Sequence, residues 1–471
     1  NCVANALMEI GVMEGDRVGL LLMNGVEFVE TFFAVGKVGA INVPLNWRLV
    51  ADELEFIISD SGVKLLVFGV EFSEVVEELR SRGTTPVEHW IHVGETPSDT
   101  TLDYEGWTAA AANSEPINSV SGSDLLFIMY TSGTTGLPKG VMHSHETVLW
   151  MVLTMAASSD RRYKDRYLNS LPLFHVGALA PVIGTMFAGD TLIMMKAFDP
   201  LLSWEMISSE RVTSSLMVPA MLQFMLSVYD SEKHDISSLR WIMSGAAPVP
   251  TNLIKACEKI GIEIHQVYGL TETCGPACLI STDDAKRKVG STGRAFFFTQ
   301  VRVVRPDGTD TDPGETGEVI IAGPHIMLGY WNRPEATADT VIDGWLHSGD
   351  VATMDQEGFV TIVDRVKDML ISGGENVYPA EIENVLLGHE KVADAAVIGI
   401  PSQKWGESPL AVLVRTDESL TANEVMKHCK GKLAPFKQVK AVEFIDVIPR
   451  NPSGKILKRE LRKSFPQEAP E

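Results

Sequence analysis

The chain has 471 residues, a formal net charge of −22 at pH 7 and a hydrophobic fraction of 45%, which is ordinary for a globular protein. Its length exceeds what one hydrophobic core supports, so two or more domains are expected. The negative charge repels nucleic-acid phosphates, and five scattered cysteines favour reduced thiols over a disulfide scaffold. Nucleic acid is therefore disfavoured as a partner, and a cytoplasmic location is expected.

One stretch raises the question of a membrane span. From Tyr167 to Gly189 the chain has no Asp, Glu, Lys or Arg. Pro172, His175 and Pro181 interrupt this stretch, so a strand, a turn and a buried helix are predicted instead. No signal peptide is visible, and the chain begins at Asn1, which leaves open a missing upstream segment.

Apolar runs alternate with amphipathic stretches over the first 130 residues, a rhythm typical of parallel sheets with helices. The predicted strands are Val18–Met23, Ala40–Val43, Lys64–Phe68 and Asp124–Tyr130. The predicted helices are Val26–Val38, Ala51–Ser61 and Ser73–Arg82. The polar stretch from Gly94 to Ser123 is predicted to be a loop on the surface.

The sequence "YTSGTTGLPKG", residues 130–140, combines five hydroxyl side chains, three glycines and one lysine. Glycines allow backbone N–H groups to surround phosphate oxygens, and hydroxyls and a lysine add further donors. The spacing does not match the Walker loop, because Gly140 follows Lys139 where that loop has Ser or Thr. We expect a phosphate-binding loop between a strand and a helix that starts after His143; a simple polar turn is the alternative.

The later part of the chain changes character. Strand-to-loop transitions with following helices are predicted in "SSLMVPAMLQFML" and "LRWIMSGAAPV", and antiparallel strands at Gln300–Arg305 and Gly317–Ala322. From Asp368 onward, a separate series of helices and strands is predicted. Its predicted elements are a helix at Ala380–Leu387, strands at Val392–Gly399 and Pro409–Arg415, and a helix at Ala422–Leu433. This series predicts a small separate domain.

Four further motifs follow the glycine-rich loop in order. They are "VYGLTET" (267–273), "GWLHSGDVATMD" (344–355), "DRVKDMLISGGENVYPAEIE" (364–383) and "PRNPSGKILKREL" (449–461). Together with the loop, they resemble the acyl-CoA synthetases of the adenylate-forming superfamily, which includes firefly luciferase and peptide-synthetase adenylation domains. The resemblance implies an α/β fold, with a large N-terminal domain (1–366, its start truncated) of parallel and mixed sheets plus a β-rich section. A small mobile α+β C-terminal domain (367–471) follows.

The resemblance also implies a two-step reaction. An acid first attacks the α-phosphate of ATP and expels pyrophosphate, and the thiol of coenzyme A then displaces AMP. Lys455 would bridge carboxylate and α-phosphate, Thr271 would contact that phosphate, and Glu272 would hold Mg²⁺. The outgoing β- and γ-phosphates would be wrapped by Thr131, which also lies near the metal, and by Ser132, Gly133, Thr134, Thr135, Gly136 and Lys139.

Other positions are assigned by the same resemblance. Asp350 would accept from the ribose hydroxyls, and Arg365 would donate to the ribose or to phosphate. The adenine slot would be formed by Gly245, Ala246, Ala247 and Tyr268, with Gly269 as a further cofactor-binding residue. The small domain would rotate about Lys367, where many relatives have Asp and others Lys. Gly373 and Gly374 would line the pantetheine channel, and the CoA nucleotide would be held by Trp405, Phe436 and Lys440. Surface salt bridges are the alternative roles of Asp350 and Arg365.

The predicted acyl pocket has almost no charge. The resemblance places it near His175, which would act as a gate or as a buried structural histidine. Its other lining residues would be Met217, Ala220, Met221, Cys274, Gly275 and Ala277. This lining favours a medium- or long-chain fatty acid over an amino acid. An aryl acid and a nucleotide-sensing relative without activity are the alternatives; peripheral membrane contact and a homodimer are left open.

Overall fold

The computed structural model describes residues 1–95, 101–117, 119–131, 137–247, 249–281, 283–365, 368–372, 375–402, 405–430, 432–433, 437–450 and 456–465. For residues 365, 371, 375 and 376 only the backbone is described. The described chain forms four β-sheets, of eight, seven, five and five strands, with helices packed around them. The predicted α/β fold class is confirmed.

The N-terminal part builds most of the eight-stranded sheet. Its elements are α1 (Cys2–Glu9), β1 (Arg17–Leu21), α2 (Val26–Lys37), β2 (Ile41–Pro44), α3 (Ala51–Ser61), β3 (Val63–Gly69), α4 (Ser73–Arg82), β4 (His89–Val93), β5 (Leu102–Asp103), α5 (Tyr104–Ala109), β6 (Leu125–Thr131), β7 (Lys139–Ser144) and α6 (His145–Ser158). The strand order is β7-β6-β2-β1-β3-β4-β5. All pairs are parallel except β6–β7. This order confirms the predicted alternation of strands and helices.

The glycine-rich loop lies between two strands. It was expected to join a strand to a helix, but β6 and β7 form an antiparallel pair in which Thr131 lies opposite Lys139. The chain enters α6 only at His145. Cross-strand pairing to β6 makes a strand of "KGVMHS", a segment with little intrinsic β-propensity. The expectation of a strand–loop–helix arrangement was therefore wrong.

The segment predicted as a surface loop contains a helix that packs on the core. Helix α5 begins at Tyr104, which is 2% exposed and whose hydroxyl lies 3.2 Å from Thr31 Oγ1. Trp107, three residues later, packs against the same core cluster. Two aromatic side chains on one face attach this short helix to the core in an otherwise polar stretch. The prediction for Gly94–Ser123 was wrong at this point.

The second sheet has seven strands. Its elements are β8 (Arg166–Asn169), α7 (Val176–Ala188), β9 (Thr191–Met194), α8 (Pro200–Ser209), β10 (Ser214–Met217), α9 (Pro219–Ser227), β11 (Trp241–Ser244), α10 (Thr251–Lys259), β12 (Glu263–Tyr268), β13 (Cys278–Leu279) and β14 (Arg294–Ala295). The order is β14-β13-β12-β11-β10-β8-β9, parallel from β12 to β9. The charge-free stretch from Tyr167 thus forms the predicted strand, turn and helix. In the described part of the chain, no helix combines the length and apolar character needed to cross a bilayer.

The third sheet is antiparallel, as the sequence predicts for Gln300–Arg305 and Gly317–Ala322. The elements are β15 (Gln300–Val304), β16 (Thr316–Ala322), β17 (Gly329–Tyr330), α11 (Pro334–Thr340), β18 (Val341–Ile342), β19 (Trp345–Met354) and β20 (Val360–Arg365). Strand β17 lies between β16 and β18 in the chain but belongs to the first sheet, where it pairs with β7. It therefore ties the two sheets together.

The fourth sheet begins at Leu370. Its elements are β21 (Leu370–Ser372), β22 (Glu375–Val377), α12 (Pro379–Leu386), β23 (Val392–Ser402), β24 (Gly406–Arg415), α13 (Ala422–Cys429), β25 (Ala441–Phe444) and α14 (Lys458–Ser464). Lys458, buried on α14, forms an ion pair of 2.9 Å with Glu383 of α12. These residues make the predicted small α+β unit. The boundary at 366/367 falls on residues outside the description and stays a prediction.

Replacing Tyr104 tests whether α5 belongs to the core. Tyr104→Leu removes a buried ring and leaves Thr31 without its partner, so we expect the free energy of unfolding to fall by about 2 kcal/mol. Urea unfolding monitored by circular dichroism measures this. Tyr163→Leu is the matched control, because Tyr163 is 85% exposed and should have little effect. Equal effects of the two substitutions would contradict the core position of α5.

Candidate active site

The candidate site lies where three sheets meet, beyond the carboxyl ends of β11 and β12. These parallel strands place Gly245–Ala247 and the segment after Tyr268 at the same edge of the second sheet. Gly245 approaches the end of β12 closely, because a Cβ atom at this position would lie 2.2 Å from the Val267 carbonyl oxygen. A glycine is therefore required at position 245. The edge of an open sheet at such a crevice is a common place for nucleotides to bind.

A three-residue 3₁₀ turn, Thr271–Thr273, carries two of the predicted catalytic residues. His143 Nε2 of β7 donates a 2.8 Å hydrogen bond to the Thr271 carbonyl, and His325 Nδ1 donates one of 2.9 Å to the Thr273 carbonyl. The Glu272 carbonyl accepts from the Met327 backbone N–H at 2.8 Å. All three carbonyls of the turn are thus held by groups outside it, which fixes the direction of the Thr271 and Glu272 side chains.

The two histidines are neutral. Both are fully buried, and burial lowers the pKa of His143 to about 4 and that of His325 below its ordinary value. Because each donates to a carbonyl, His143 carries its proton on Nε2 and His325 on Nδ1. The remaining nitrogen of His325 accepts from Thr299 Oγ1 at 2.7 Å. The turn is therefore held by uncharged donors.

Tyr330 connects the turn to the phosphate loop. Its hydroxyl donates a 2.8 Å hydrogen bond to Glu272 Oε1, and the Lys139 ammonium lies 4.6 Å from the centre of its ring. The first contact satisfies a carboxylate oxygen, and the second is a cation–π interaction. The structure thus brings the predicted metal residue Glu272 close to Lys139, at the end of the loop. Thr131, the other predicted metal residue, lies opposite Lys139 with its Oγ1 3.5 Å from the Lys139 carbonyl.

The predicted nucleoside residues also lie together. The hydroxyl of Tyr268 donates a 2.7 Å hydrogen bond to Asp350 Oδ2, which joins the second sheet to the third. Burial and the Asp350 charge raise the pKa of Tyr268 well above its ordinary value, so the hydroxyl keeps its proton. Asp350 pairs with Arg365 across β19 and β20. The side chain of Arg365 lies outside the description.

His175 lies at the start of α7, beside the ring of Phe174 at a centroid distance of 4.5 Å. Burial and the nearby Arg48 cation lower its pKa to about 4. Its Nε2 is enclosed and has no hydrogen-bond partner among the described residues. The described residues thus leave this nitrogen of a neutral histidine without a hydrogen bond, and the role of His175 as a gate or as a structural histidine stays a prediction.

Only part of the predicted acyl lining assembles around α7. A Cβ atom on Gly275 would lie 3.4 Å from Ala180 of α7, and Cys274 is buried in the same core cluster as that helix. Met217 and Met221 belong instead to the core beneath β10 and α9.

Burial raises the pKa of the Cys278 thiol to about 12, and it raises the pKa of the Cys274 thiol further. In the described residues, no three His, Cys, Asp or Glu side chains form a cluster that could ligate a metal.

Several predicted residues cannot be placed. The following predicted residues are not among those that the structure describes: Ser132, Gly133, Thr134, Thr135, Gly136, Lys367, Gly373, Gly374, Phe436 and Lys455. Trp405 precedes β24 with 39% of its surface exposed, and Lys440 precedes β25, its backbone N–H donating to the Pro409 carbonyl. Their predicted contact with coenzyme A stays a prediction.

The sequence reading missed three residues of the site: His143, His325 and Tyr330. Each looks like an ordinary core residue in its own segment. A signal was present for Tyr330, since the run "GYWNR" places aromatic and basic residues together in a polar neighbourhood. The sequence carries no such signal for the two histidines, because their partners are backbone carbonyls that are distant in the sequence.

Comparisons with known proteins show the family of the chain. Residues 1–331 match the family model for AMP-binding enzymes, and residues 381–455 match the AMP-binding enzyme C-terminal domain. The chain is 44% identical over its full length to 92% of a long-chain-fatty-acid–CoA ligase, FadD13, of Mycobacterium tuberculosis. It is 42% identical, over 98% of its length and 91% of the relative, to a feruloyl-CoA synthase of an Amycolatopsis species.

A solved structure has the same architecture. It is o-succinylbenzoate coenzyme A synthetase from Bacillus subtilis in complex with ATP and a magnesium ion, with a TM-score of 0.87 and 32% identity. The similarity covers 98% of this chain and 92% of that one. The chain belongs to the AMP-binding enzyme family. The expected class, an AMP-forming acid–CoA ligase of the adenylate-forming superfamily, is thereby confirmed.

The buried histidines make stability depend on pH. The pKa of His143 is about 4 in the fold and about 6.5 in an unfolded chain, so unfolding takes up protons between these values. The stability held above pH 6.5 is lost as the pH falls toward 4, by about 2 kcal/mol at pH 5 from this residue. His143→Gln can still donate to Thr271 but does not titrate. We expect urea unfolding at pH 7.5 and 5 to show a smaller loss in this variant; equal losses would contradict the assignment.

Proposed function

We propose that the chain is an ATP-dependent fatty acyl-CoA ligase that adenylates a medium- or long-chain fatty acid and passes the acyl group to coenzyme A. The observation that carries this proposal is the meeting of Thr271, Glu272, Lys139 and the Tyr268–Asp350 pair at the junction of three sheets. The high identity to a long-chain-fatty-acid–CoA ligase supports the substrate class.

In the adenylation step the chain must bring two anions together. Asp350 would accept hydrogen bonds from the ribose hydroxyls, with Tyr268 holding the carboxylate in place. Thr271, fixed by His143, would donate to the α-phosphate. Lys139 would reduce the repulsion from the outgoing phosphates, and Lys455 would contact both carboxylate and α-phosphate.

Glu272 fits a magnesium ion. It offers a half-buried carboxylate with one oxygen already oriented by Tyr330, and Mg²⁺ commonly binds one or two carboxylates together with substrate phosphates. When bound, the ion would neutralise phosphate charge. Thr131 lies across the hairpin from Lys139 and could add an oxygen.

The thioester step requires different groups. Rotation about Lys367 would withdraw Lys455 and bring Gly373 and Gly374 to a channel for the pantetheine thiol. His175 would border the acyl chain, with its unused Nε2 toward the ligand. The apolar surface of α7 beside Gly275 suits an alkyl chain. An aryl acid is the second candidate, because a feruloyl-CoA synthase is 42% identical to the chain.

An acid panel tests the proposed substrate. ATP–pyrophosphate exchange should be fastest with straight-chain acids of medium or long chain, because the lining beside α7 is apolar. The measurement compares kcat/KM for acids graded by chain length with that for coumarate- and benzoate-like acids. If aryl acids react fastest, the proposed substrate class is wrong and an aryl acid takes its place. If no acid yields AMP and pyrophosphate, the proposed function is refuted.

Separate half-reactions test the division of roles. Lys455→Ala should stop adenylation yet convert supplied acyl-adenylate to the thioester, because the bridging cation is needed only in the first step. Gly374→Leu should do the reverse by blocking the thiol. Rates of both half-reactions measure this, with Lys463→Ala, an exposed lysine on α14, as the control. Equal loss of both half-reactions in both variants would contradict the assigned roles.

A further inference from the structure

We propose that Tyr330 is a positioning residue that keeps Lys139 and Glu272 apart, so that both charges remain available to the phosphates and the metal. Tyr330 is 7% exposed and touches each of them with a different part of its side chain. Its hydroxyl donates to Glu272 Oε1 at 2.8 Å, and its ring face lies 4.6 Å from Lys139 Nζ. In the described structure no ion pair joins Lys139 to Glu272. This inference rests on the proposed roles of those two residues.

The backbone around Tyr330 is held at both charged residues. We call residues 327–333 the strap. At one end, the Met327 N–H donates to the carbonyl of Glu272. Further along, the Trp331 N–H donates at 2.7 Å to the carbonyl of Gly140, the neighbour of Lys139. The strap therefore fixes the position of the ring relative to both the 3₁₀ turn and the phosphate hairpin.

A second contact holds the far end of the strap to the other stem of the hairpin. Asp60, at the end of α3, accepts hydrogen bonds from Tyr130 at 2.6 Å through one oxygen and from Arg333 at 2.7 Å through the other. Its backbone carbonyl accepts from the Trp331 indole at 3.0 Å. Tyr130 is the residue before Thr131, so Asp60 links the strap to the start of the phosphate loop. Both stems of that loop are thus tied to Tyr330.

The chemistry explains why an aromatic spacer is needed. Lys139 and Glu272 carry opposite charges in a partly dehydrated site, where a direct ion pair would neutralise both. A tyrosine ring attracts the ammonium only weakly and leaves its N–H donors free to turn toward phosphate oxygens. The hydroxyl orients one carboxylate oxygen and leaves the other for a cation. Removing the ring would let the lysine occupy the place of the metal.

Three variants at position 330 separate these effects, and Lys139→Met in the wild-type background completes the comparison. Tyr330→Phe keeps the spacer and loses the hydroxyl, Tyr330→Leu loses both, and Tyr330→Leu with Lys139→Met removes the lysine that would collapse onto Glu272. Leu328→Ala is the matched control, because this exposed side chain lies on the same strap and its backbone hydrogen bond remains. The readout is ATP binding by isothermal titration calorimetry with Mg²⁺ and with EDTA. Thermal unfolding reports the fold of each variant.

We expect Tyr330→Phe to bind ATP normally in EDTA and to lose roughly tenfold of the magnesium-dependent gain in affinity. Tyr330→Leu should bind ATP more weakly in both conditions. Removing Lys139 in that background should restore part of the magnesium-dependent gain, whereas Lys139→Met in the wild-type background should not increase it. The difference between the Lys139 effects in the two backgrounds does not depend on the stability of the leucine variant.

Two results would overturn the inference. One is wild-type magnesium dependence in both Tyr330 variants, and the other is an equal effect of Lys139→Met in both backgrounds. Glu272→Gln separates this failure from failure of the proposed function. If that variant loses the magnesium-dependent gain while the Tyr330 variants keep it, Glu272 holds the metal and only the role of Tyr330 is refuted. If wild-type protein shows no magnesium-dependent binding of ATP, the proposed role of Glu272 fails as well.

Discussion

The site depends on a short turn whose backbone carbonyls are all held from outside. His143 comes from the first sheet, while His325 and Met327 come from the segment that joins the third sheet to β17. Neutral imidazoles suit this task, because a charged histidine would attract Glu272 and compete with the metal that its carboxylate is proposed to hold. Burial keeps both imidazoles uncharged. The hydrophobic packing that stabilises the domain thus also sets the protonation state of the groups that orient the turn.

The charged and polar groups of the site come from different sheets. Lys139 lies on the first sheet, Tyr268 and Glu272 follow the second, and Asp350 lies on the third. Each sheet is rigid, so the distances among these groups are set by the contacts between sheets, chiefly Tyr268–Asp350 and Tyr330–Glu272. Tyrosine hydroxyls make both contacts. A tyrosine provides apolar area for packing and one directed donor, which is what a junction between an apolar core and a polar cleft requires.

The hydrophobic periodicity of the sequence predicted helices and strands correctly where the local pattern and the tertiary packing agree. Helices Ala51–Ser61 and Ser73–Arg82 have the bounds that the sequence predicted. Strand β7 and helix α5 were missed because pairing with β6 and two buried aromatic rings outweigh weak local preferences. In the site, motif resemblance predicted Glu272, Asp350 and Lys139, and their roles stay predictions. It did not identify His143, His325 or Tyr330, whose importance comes from contacts across 50 residues or more.

The antiparallel hairpin that carries the phosphate loop has a further consequence. In a nucleotide site where the loop runs straight into a helix, the helix dipole adds a permanent attraction for phosphate. Here β7 separates the loop from α6, so that contribution is missing, and the proposed phosphate contacts would come from the hydroxyls and backbone amides of the loop, from Lys139 and from a metal at Glu272. Under the proposed function, the loop would hold pyrophosphate without the added attraction of a helix dipole. A weaker hold on that by-product would ease its release after each adenylation.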